Sequence, residues 1–286
     1  MVYLKNFKLL NEMQEHDIYG IETRTIFNSY YPLHMFVNKQ MENIEFDNIT
    51  IFYGGNGSGK TTLLNIIASR INAMRKNSYN KGRIFDLYVE RCMYEKTVQE
   101  PLEIKFISSD DVFDYLLDIR AINANVNRKK AELSREWVEN KYGTEMDYTD
   151  CDSMRNHVEA KKLSMSKYIR GRLGHNNIIE QSNGESALMF WEKEITEDSI
   201  YILDEPENSL SAENQLKLKT FIEESTRFYN CQFIISTHSP FLLSLNGAKI
   251  YDLDDAPVRV KKWTELSNVK MYYKFFKENE NEFDQE

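Results

Sequence analysis

Cysteine is scarce in this sequence, and long apolar runs are missing. The 286 residues include three cysteines, Cys92, Cys151 and Cys231, and none has the C-x-x-C spacing of zinc or redox sites. We expect them to be small buried residues in a reduced cytosol. No segment approaches the roughly 18–20 consecutive apolar residues of a membrane span, and the first residues lack the apolar core of a signal peptide. These absences predict a cytoplasmic protein without a membrane segment.

An excess of basic charge is also absent. The formal net charge is −9, and residues 278–286 are acidic. This argues against a surface that is basic throughout but leaves room for a local nucleic-acid groove. The densest basic stretch lies between Arg155 and Arg172, where Glu159 is the only acid. Such a stretch is typical of a solvated helical face or of a patch that follows phosphates. The 17 Tyr and 16 Phe exclude a disordered chain.

Strand patterns fall at the two ends of the chain, and the middle is helical. Short apolar or alternating runs predict strands at 2–7, 34–37, 44–46, 49–53, 102–108, 199–203 and 232–236. The pattern from about 111 to 179 is helical and highly charged, and helices are also predicted near 216–222 and 269–281. The β–α–β order over 199–236 implies parallel strands joined by a right-handed crossover.

Residues 54–62, with the sequence GGNGSGKTT, match the phosphate-binding pattern G-x-x-x-x-G-K-[ST] in full. A predicted strand precedes them and a predicted helix follows, so backbone N–H groups and a helix N-terminus would surround an anion. Lys60 would supply charge to the β/γ-phosphates, and the Thr61 hydroxyl would reach Mg²⁺. The alternative is a glycine-rich turn that binds nothing. The expected nucleotide-binding residues are Gly54, Asn56, Gly57, Ser58, Gly59, Lys60, Thr61 and Thr62.

Two later apolar strands also end in polar residues. Asp204 and Glu205 follow the strand at 199–203, where the first acid can hold Mg²⁺ and the second can orient or deprotonate a water. The alternative is a strand end that caps a helix. His238 follows the strand at 232–236 and can contact a γ-phosphate. A lone histidine is more often structural, but its position after a second parallel strand favours the functional interpretation.

A fourth element, QSNGES at 181–186, precedes a helix-forming run. Serine before a helix with an acid at the third position is typical of a capping box. An anion could also bind at this segment, to the Ser182 hydroxyl, the Gly184 N–H and the helix N-terminus, next to Glu185.

In this order the four elements resemble those of the ATP-binding-cassette (ABC) ATPases, in particular the non-transporter branch of RecF-, OLD- and SMC-like proteins. The sequences DEPENSL at 204–210 and STHSP at 236–240 resemble motifs of the RecF- and OLD-like members. The resemblance implies an α/β P-loop fold with a mixed central sheet, an N-terminal antiparallel β portion and an inserted helical lobe. Residues 1–109 and 187–286 would form the nucleotide-binding lobe, and 110–186 the helical lobe ending in the signature motif.

The resemblance also implies roles for individual residues. Lys60 would bind the β/γ-phosphates of ATP, Thr61 and Asp204 would hold Mg²⁺, Glu205 would be the catalytic base and His238 the switch histidine. Two copies would form a head-to-tail homodimer around two ATP molecules. In that dimer the signature residues of one copy complete the site of the other: Ser182, Gly184 and Glu185, with Asn208 and Ser209 across the interface.

Several positions depart from the family pattern. Gln181 and Asn183 replace the usual leucine and first glycine of the signature, and Ser211-Ala212 replaces His-Pro. No glutamine follows the strand at 102–108, so we consider Ser109 or Asp110 as its substitute. The upstream aromatic residues Tyr30, Tyr31 and Phe36 are equally plausible as adenine contacts and as core.

The predicted function is an ATP-binding and slowly ATP-hydrolysing switch that controls an effector or nuclease partner in DNA repair or phage defence, with DNA binding left open. The alternatives are the nucleotide-binding subunit of an ABC transporter and a non-hydrolysing, ATP-dependent binding switch. The chain is too short for the long coiled-coil arm of an SMC protein. The acids of 110–118 are predicted to be solvated helix surface rather than a metal site: Asp110, Asp111, Asp114 and Asp118.

Overall fold

The computed structural model describes residues 1–21, 30–79, 81–143, 151–173 and 183–283. Two compact units divide the chain. The first contains Met1–Val112 and Ala187–Glu286, and the second contains Phe113–Ser186. The described residues form nine strands: β1 Leu4–Lys8, β2 Asn43–Glu45, β3 Ile49–Tyr53, β4 Met93–Lys96, β5 Ile104–Ser108, β6 Ile200–Asp204, β7 Gln232–Ser236, β8 Lys249–Asp252 and β9 Arg259–Lys261.

A six-stranded sheet with the order β5-β6-β7-β3-β8-β9 forms the centre of the first unit. Neighbouring strands are parallel except for the antiparallel pair β8 and β9. All residues of β3 and β7 are buried. Strands buried on both faces of a parallel sheet are continuous apolar runs rather than alternating ones. The register aligns the strand ends, since Asp204 pairs with Ser236 and Ser236 pairs with Phe52.

A second, antiparallel sheet with the order β2-β1-β4 lies in the same unit. The buried side chain of Gln232 links β7 to this sheet. Its Oε1 accepts hydrogen bonds from the N–H groups of Tyr3 and Leu4, and its Nε2 donates to the carbonyls of Leu4 and Asp47. A buried amide is tolerated here because all of its polar atoms are paired. The mixed central sheet and the N-terminal antiparallel portion confirm the predicted fold class.

Seven α-helices of the described residues lie entirely in the first unit: α1 Glu12–Ile21, α2 Lys60–Arg70, α3 Arg83–Arg91, α8 Ala212–Phe228, α9 Pro240–Leu243, α10 Ser267–Glu278 and α11 Glu280–Phe283. The helix α2 follows β3 and buries Leu63, Leu64 and Ile67 completely. The helix α8 begins after Ser211, whose Oγ accepts the backbone N–H of Asn214. Ser211, which departs from the family motif, is therefore an N-cap.

The remaining helices are α4 Ser109–Tyr142, α5 Cys151–Lys162, α6 Met165–Leu173 and α7 Asn183–Glu194. The second unit has its own small core of Trp137, Ala160 and Tyr168. The Tyr168 hydroxyl donates to Glu136 Oε1 at 2.7 Å. In the basic stretch between 155 and 172, Glu159 pairs with both Arg155 and Arg172.

The predicted strands at 49–53, 102–108, 199–203 and 232–236 are confirmed as β3, β5, β6 and β7. The strand predicted at 34–37 is wrong, because residues 31–40 form turns and His34 has a left-handed φ of 65°. Cys92 and Cys231 are buried as expected, whereas the side chain of Cys151 lies outside the described part of the chain. No helix of the described residues is long and apolar enough to span a membrane.

The prediction that Asp111 is solvated helix surface is also wrong. Its side chain is 5% exposed and accepts hydrogen bonds from the Ser108 N–H and hydroxyl and from Asn77 Nδ2. The carboxylate thus caps the start of α4, where orphan N–H groups need acceptors. Asp114 and Asp118 are exposed as expected. Among the residues described, no group of three or more His, Cys, Asp or Glu has the arrangement of a metal site.

Candidate functional site

The loop between β3 and α2 curls tightly because of its glycines. Gly59 has φ 99°, a left-handed conformation that side-chain-bearing residues rarely adopt. A Cβ on Gly54 would lie 2.6 Å from Ser58 Oγ, so only glycine fits there. Asn56 and Gly57 are exposed at the tip. Ser58 Oγ is buried without a hydrogen-bond partner among the described residues, which leaves a polar atom for a ligand.

Lys60 opens α2 and directs its ammonium group to the carboxyl ends of the strands. Its side chain is 5% exposed, and Nζ donates to the carbonyls of Gly54 at 3.0 Å and Gly55 at 3.3 Å. Nζ also lies 2.6 Å from His238 Nε2 and 3.9 Å from Glu205 Oε1. Burial lowers the pKa of Lys60, and Glu205 opposes that effect. An ammonium group that is partly removed from water in this way can bind the negative charge of a phosphate.

Asp204 and Thr61 form an oxygen-rich corner beside Lys60. The Thr61 hydroxyl donates to Asp204 Oδ1 at 3.2 Å, and the Ser236 hydroxyl donates to the same oxygen. Burial raises the pKa of Asp204, whereas the two hydroxyl donors lower it. A bound divalent cation would favour the ionised carboxylate. Carboxylate and hydroxyl oxygens with room for water and phosphate oxygens are the ligands that Mg²⁺ prefers, so the residues present fit Mg-ATP.

Glu205 has an unusual backbone conformation. Its φ is 49°, in the left-handed region, and its N–H donates to the carbonyl of Ser236 at 3.0 Å. Such strain persists only where the surroundings over-determine it. The side chain points to the centre of the site, with Oε1 3.4 Å from His238 Nε2, while Oε2 accepts from Asn208 Nδ2 at 3.1 Å.

His238 lies in the loop after β7 and completes the cluster. Burial is the main cause that lowers the pKa of His238, and the neighbouring charge of Lys60 lowers it further. The ring is therefore neutral at pH 7, and its Nε2 accepts from Lys60. Asn268, at the start of α10, donates a hydrogen bond from its Nδ2 to the His238 carbonyl at 3.4 Å. The structure thus brings together Lys60, Asp204, Glu205 and His238, which are far apart in sequence.

The predicted signature residues are less completely described. Ser182 and Gln181 lie outside the described residues. Gly184 belongs to α7, and Glu185 is exposed on the same helix. The roles predicted for the signature residues remain predictions. Likewise Ser109 and Asp110 open α4 directly after β5, and their role as substitutes for the missing glutamine is untested.

The upstream aromatic residues differ in environment. Phe36 is completely buried and belongs to the core. Tyr31 is 36% exposed, stacks on Phe85 at 6.1 Å between ring centroids, and its hydroxyl donates to Thr62 Oγ1 at 2.9 Å. Tyr31 therefore contacts the first turn of α2, where the phosphate-binding motif ends, and its hydroxyl orients the Thr62 side chain.

Sequence reasoning missed three polar residues that support the site. Asp254, after β8, accepts the Gly55 N–H at 2.9 and 2.8 Å with its two oxygens. Asn268 Nδ2 donates to the His238 carbonyl, and Glu207 accepts the His238 N–H. No motif marks Asp254 or Asn268, because each reaches the site through tertiary packing. Glu207 lies in the recognised DEPENSL segment, but its spacing alone does not reveal its contacts.

Two family models match parts of the chain. Residues 38–208, more than half of the chain, match the family model described as ABC transporter. Residues 186–244 match a model described as an AAA domain, with the AbiEii toxin and a type IV toxin–antitoxin system in its description. No curated protein sequence matches the chain.

Several solved structures are similar to the chain at low identity. The SMC head domain from Thermotoga maritima is 14% identical, with 91% of this chain and 98% of that chain covered and a TM-score of 0.40. The Pyrococcus furiosus Smc head domain with an extended coiled coil, bound to the C-terminal domain of ScpA, is 14% identical, with 97% and 99% covered and a TM-score of 0.40. A nucleotide-free ATP-binding cassette from an ABC transporter is 13% identical, with 96% and 99% covered and a TM-score of 0.41.

The phosphate-binding loop, the acidic end of β6 and the histidine after β7 meet in one place, and the ABC transporter model spans this region of the sequence through residue 208. The chain therefore belongs to the ABC family and is an ATP-binding, ABC-type P-loop ATPase domain.

Proposed function

We propose that this protein is an ATP-hydrolysing switch whose two nucleotide sites form between two copies of the chain. The observation that carries the proposal is the convergence of Lys60, Glu205 and His238, whose charged or polar atoms lie within 4 Å of one another. A buried cation can bind the phosphates, a carboxylate can activate the attacking water, and a neutral imidazole can hydrogen-bond the terminal phosphate.

The residues of the chain have distinct roles in this reaction. The N–H groups of the phosphate-binding loop and the Lys60 ammonium bind the phosphates, and Thr61 with Asp204 would hold Mg²⁺. When bound, Mg²⁺ neutralises charge on the β/γ-phosphate oxygens. Glu205 accepts the proton of the attacking water, and His238 orients the terminal phosphate by hydrogen bonding. Because hydrolysis depends on groups from a second copy, we expect the isolated chain to be slow.

The dimer is the second part of the proposal. Asn208 and Ser209 are exposed beside Glu205, where a second copy can contact them. In a head-to-tail arrangement Ser182, Gly184 and Glu185 of one copy complete the site of the other. Two-fold symmetry makes each copy give and receive the same contacts. ATP that binds the dimer more tightly than the monomer then drives association by mass action.

We further propose that the dimer controls an effector or nuclease partner in phage defence or DNA repair. The partial match to a model whose description names a toxin–antitoxin system supports a role outside transport. The altered signature, the missing glutamine and the DEPENSL segment support the same conclusion. Whether the assembly contacts DNA is an outcome of the experiment below.

A transporter subunit is the second candidate, because the longer family match is described as ABC transporter. Affinity capture from the native cell with a hydrolysis-deficient variant separates the two candidates. An effector protein or DNA held in an ATP-dependent manner supports the proposal, whereas an integral membrane partner supports the transporter function.

The central test compares the wild type with Lys60→Ala in ATP binding, ATP hydrolysis and oligomeric state. We expect the wild type to hydrolyse ATP with Mg²⁺ and to become a dimer when ATP is bound, as measured by light scattering after size exclusion. Lys60→Ala should do neither, because the buried cation is lost. Equal ATP affinity in both proteins would contradict the site, and ATP binding without any dimer would contradict the switch. Dimerisation without turnover would identify the non-hydrolysing binding switch.

A further inference from the structure

One carboxylate oxygen holds the loop segment that carries His238. Oε1 of Glu207 accepts hydrogen bonds from the Thr237 hydroxyl at 2.7 Å, the His238 N–H at 2.7 Å and the Ser239 N–H at 3.1 Å. Glu207 follows β6, and the three donors follow β7. The contact therefore joins the two strand ends that carry Glu205 and His238.

The carboxyl group of Glu207 is shielded from solvent. Its second oxygen, Oε2, is buried and has no hydrogen-bond partner among the described residues. Burial raises the pKa of Glu207, while its hydrogen bonds to Thr237 and His238 lower it. A buried carboxylate costs free energy unless its surroundings compensate. The three donors on Oε1 supply that compensation, and they also fix the orientation of the carboxyl group.

The loop is held at both the N–H and the carbonyl of His238. Glu207 accepts from its N–H, and Asn268 Nδ2 lies 3.4 Å from its carbonyl. With the backbone fixed in this way, the imidazole lies 2.6 Å from Lys60 Nζ and 3.4 Å from Glu205 Oε1. We expect that loss of one anchor would let this backbone segment rotate and would move the ring away from both partners.

We propose that Glu207 is a positioning residue for ATP hydrolysis, which holds residues 237–239 so that the His238 ring stays at Lys60 and Glu205. The kinetic consequence rests on the proposed function, but the position of the ring can be measured without ATP. Glu207 acts through His238 and not on the phosphate itself. Its removal should therefore lower kcat by a larger factor than it raises the Kd for Mg-ATP.

The kinetic experiment uses Glu207→Gln, His238→Ala and the double variant. The glutamine oxygen is neutral and accepts the three hydrogen bonds more weakly than a carboxylate, and its amide replaces the buried Oε2. A misplacement of about 1 Å costs up to about 10²-fold in rate, so we expect kcat to fall by about 10- to 10²-fold. Because Glu207 acts through His238, the double variant should be no slower than His238→Ala alone. Additive losses, or a kcat equal to that of the wild type, overturn the inference.

The spectroscopic experiment records the NMR signals of the imidazole rings of the five histidines in the nucleotide-free protein. Glu207→Gln should shift or broaden the His238 signals and leave the other four in place. Glu223→Gln is the matched control, because the half-buried Glu223 also accepts a backbone N–H, from Asn246 at 2.9 Å, outside the site. Unchanged His238 signals in a folded Glu207→Gln protein refute the inference, whatever the hydrolysis rate.

A second variant guards against a folding defect. Glu207→Asp retains the charge but is one methylene shorter, so it cannot reach the same three donors, and we expect the same displacement of His238. If the ring moves but the wild type hydrolyses no ATP, the positioning contact is supported and the proposed function is refuted. If the wild type is active and His238 stays in place in both variants, the proposed function survives and the positioning role is refuted.

Discussion

Replacement of Glu205 by glutamine changes one charge in the candidate site and almost nothing else. The two side chains have the same shape, and the amide can still contact His238 and Asn208. In the wild type, Glu205 Oε1 lies 3.4 Å from His238 Nε2 and 3.9 Å from Lys60 Nζ, and the side chain is 31% exposed. The backbone conformation at φ 49° is held by Ser236, so the substitution should not move the loop.

The expected loss follows from the role of the carboxylate. A positioned general base contributes about 10²–10⁴-fold, so hydrolysis should slow by that factor, equivalent to about 3–5 kcal/mol in the activation free energy. ATP binding should not weaken. Glu205 is partly exposed and its Oε1 lies 3.9 Å from Lys60 Nζ, and an ion pair at this distance with one solvated partner is worth about 1 kcal/mol or less. Its loss frees Lys60 for the phosphates and raises ATP affinity by at most about fivefold.

The assay is single-turnover release of phosphate with enzyme in excess, together with the Kd for Mg-ATP. Single turnover separates chemistry from product release. The control is Glu213→Gln on α8, an exposed carboxylate that pairs only with Lys217 among the contacts of the described residues. We expect the control to match the wild type in both measurements, and the Glu205→Gln protein to accumulate as an ATP-bound dimer.

Two results would refute the reasoning. Hydrolysis by Glu205→Gln at the wild-type rate would show that another group accepts the proton. A fall in ATP affinity as large as the fall in rate would show that Glu205 contributes to binding rather than to the chemical step.

Three further predictions follow from contacts elsewhere. Gly54→Ala should weaken Mg-ATP binding in a titration, because the new Cβ would lie 2.6 Å from Ser58 Oγ, whereas Gly82→Ala, with open space around it, should not. Burial raises the pKa of Glu15, so its stabilising contribution is present below its ordinary pKa and is lost as pH rises through the raised value. The Tm of Glu15→Gln should therefore rise relative to that of the wild type as the pH increases above 4.5, the ordinary pKa of the group, by about 2–4 °C per kcal/mol, and a constant difference would contradict this. Ser211→Ala should lower the free energy of unfolding by about 1 kcal/mol in denaturant titrations, because α8 loses its N-cap.

The elements that could be predicted from the sequence are those with a local signal. The strands β3, β6 and β7 are buried on both faces, so their apolar runs are continuous and easily recognised. The phosphate-binding loop is recognisable because its conformation requires glycine at particular positions. Ser211 could be assigned as an N-cap only after the structure located the start of α8.

The elements that were missed or wrong have weak or ambiguous local signals. The strands β8 and β9 have four and three residues, too few for a clear period. The apolar run at 34–37 was predicted to be a strand, but it is a turn that buries Phe36 in the core. Periodicity predicted an exposed Asp111, but the carboxylate caps its own helix. A short apolar run records burial and does not by itself distinguish a strand from a buried turn.

The sequence by itself determined that a phosphate-binding loop, an acidic strand end and a histidine after a second strand occur in the order typical of ABC ATPases. Each of these depends on residues next to one another in the chain. Only the tertiary structure decided that Lys60 meets His238, that Glu207 holds the loop of His238, and that Asp254 anchors Gly55. The physical reason is the register of the parallel sheet, which aligns strand ends from distant parts of the chain and so sets contacts that no local pattern encodes.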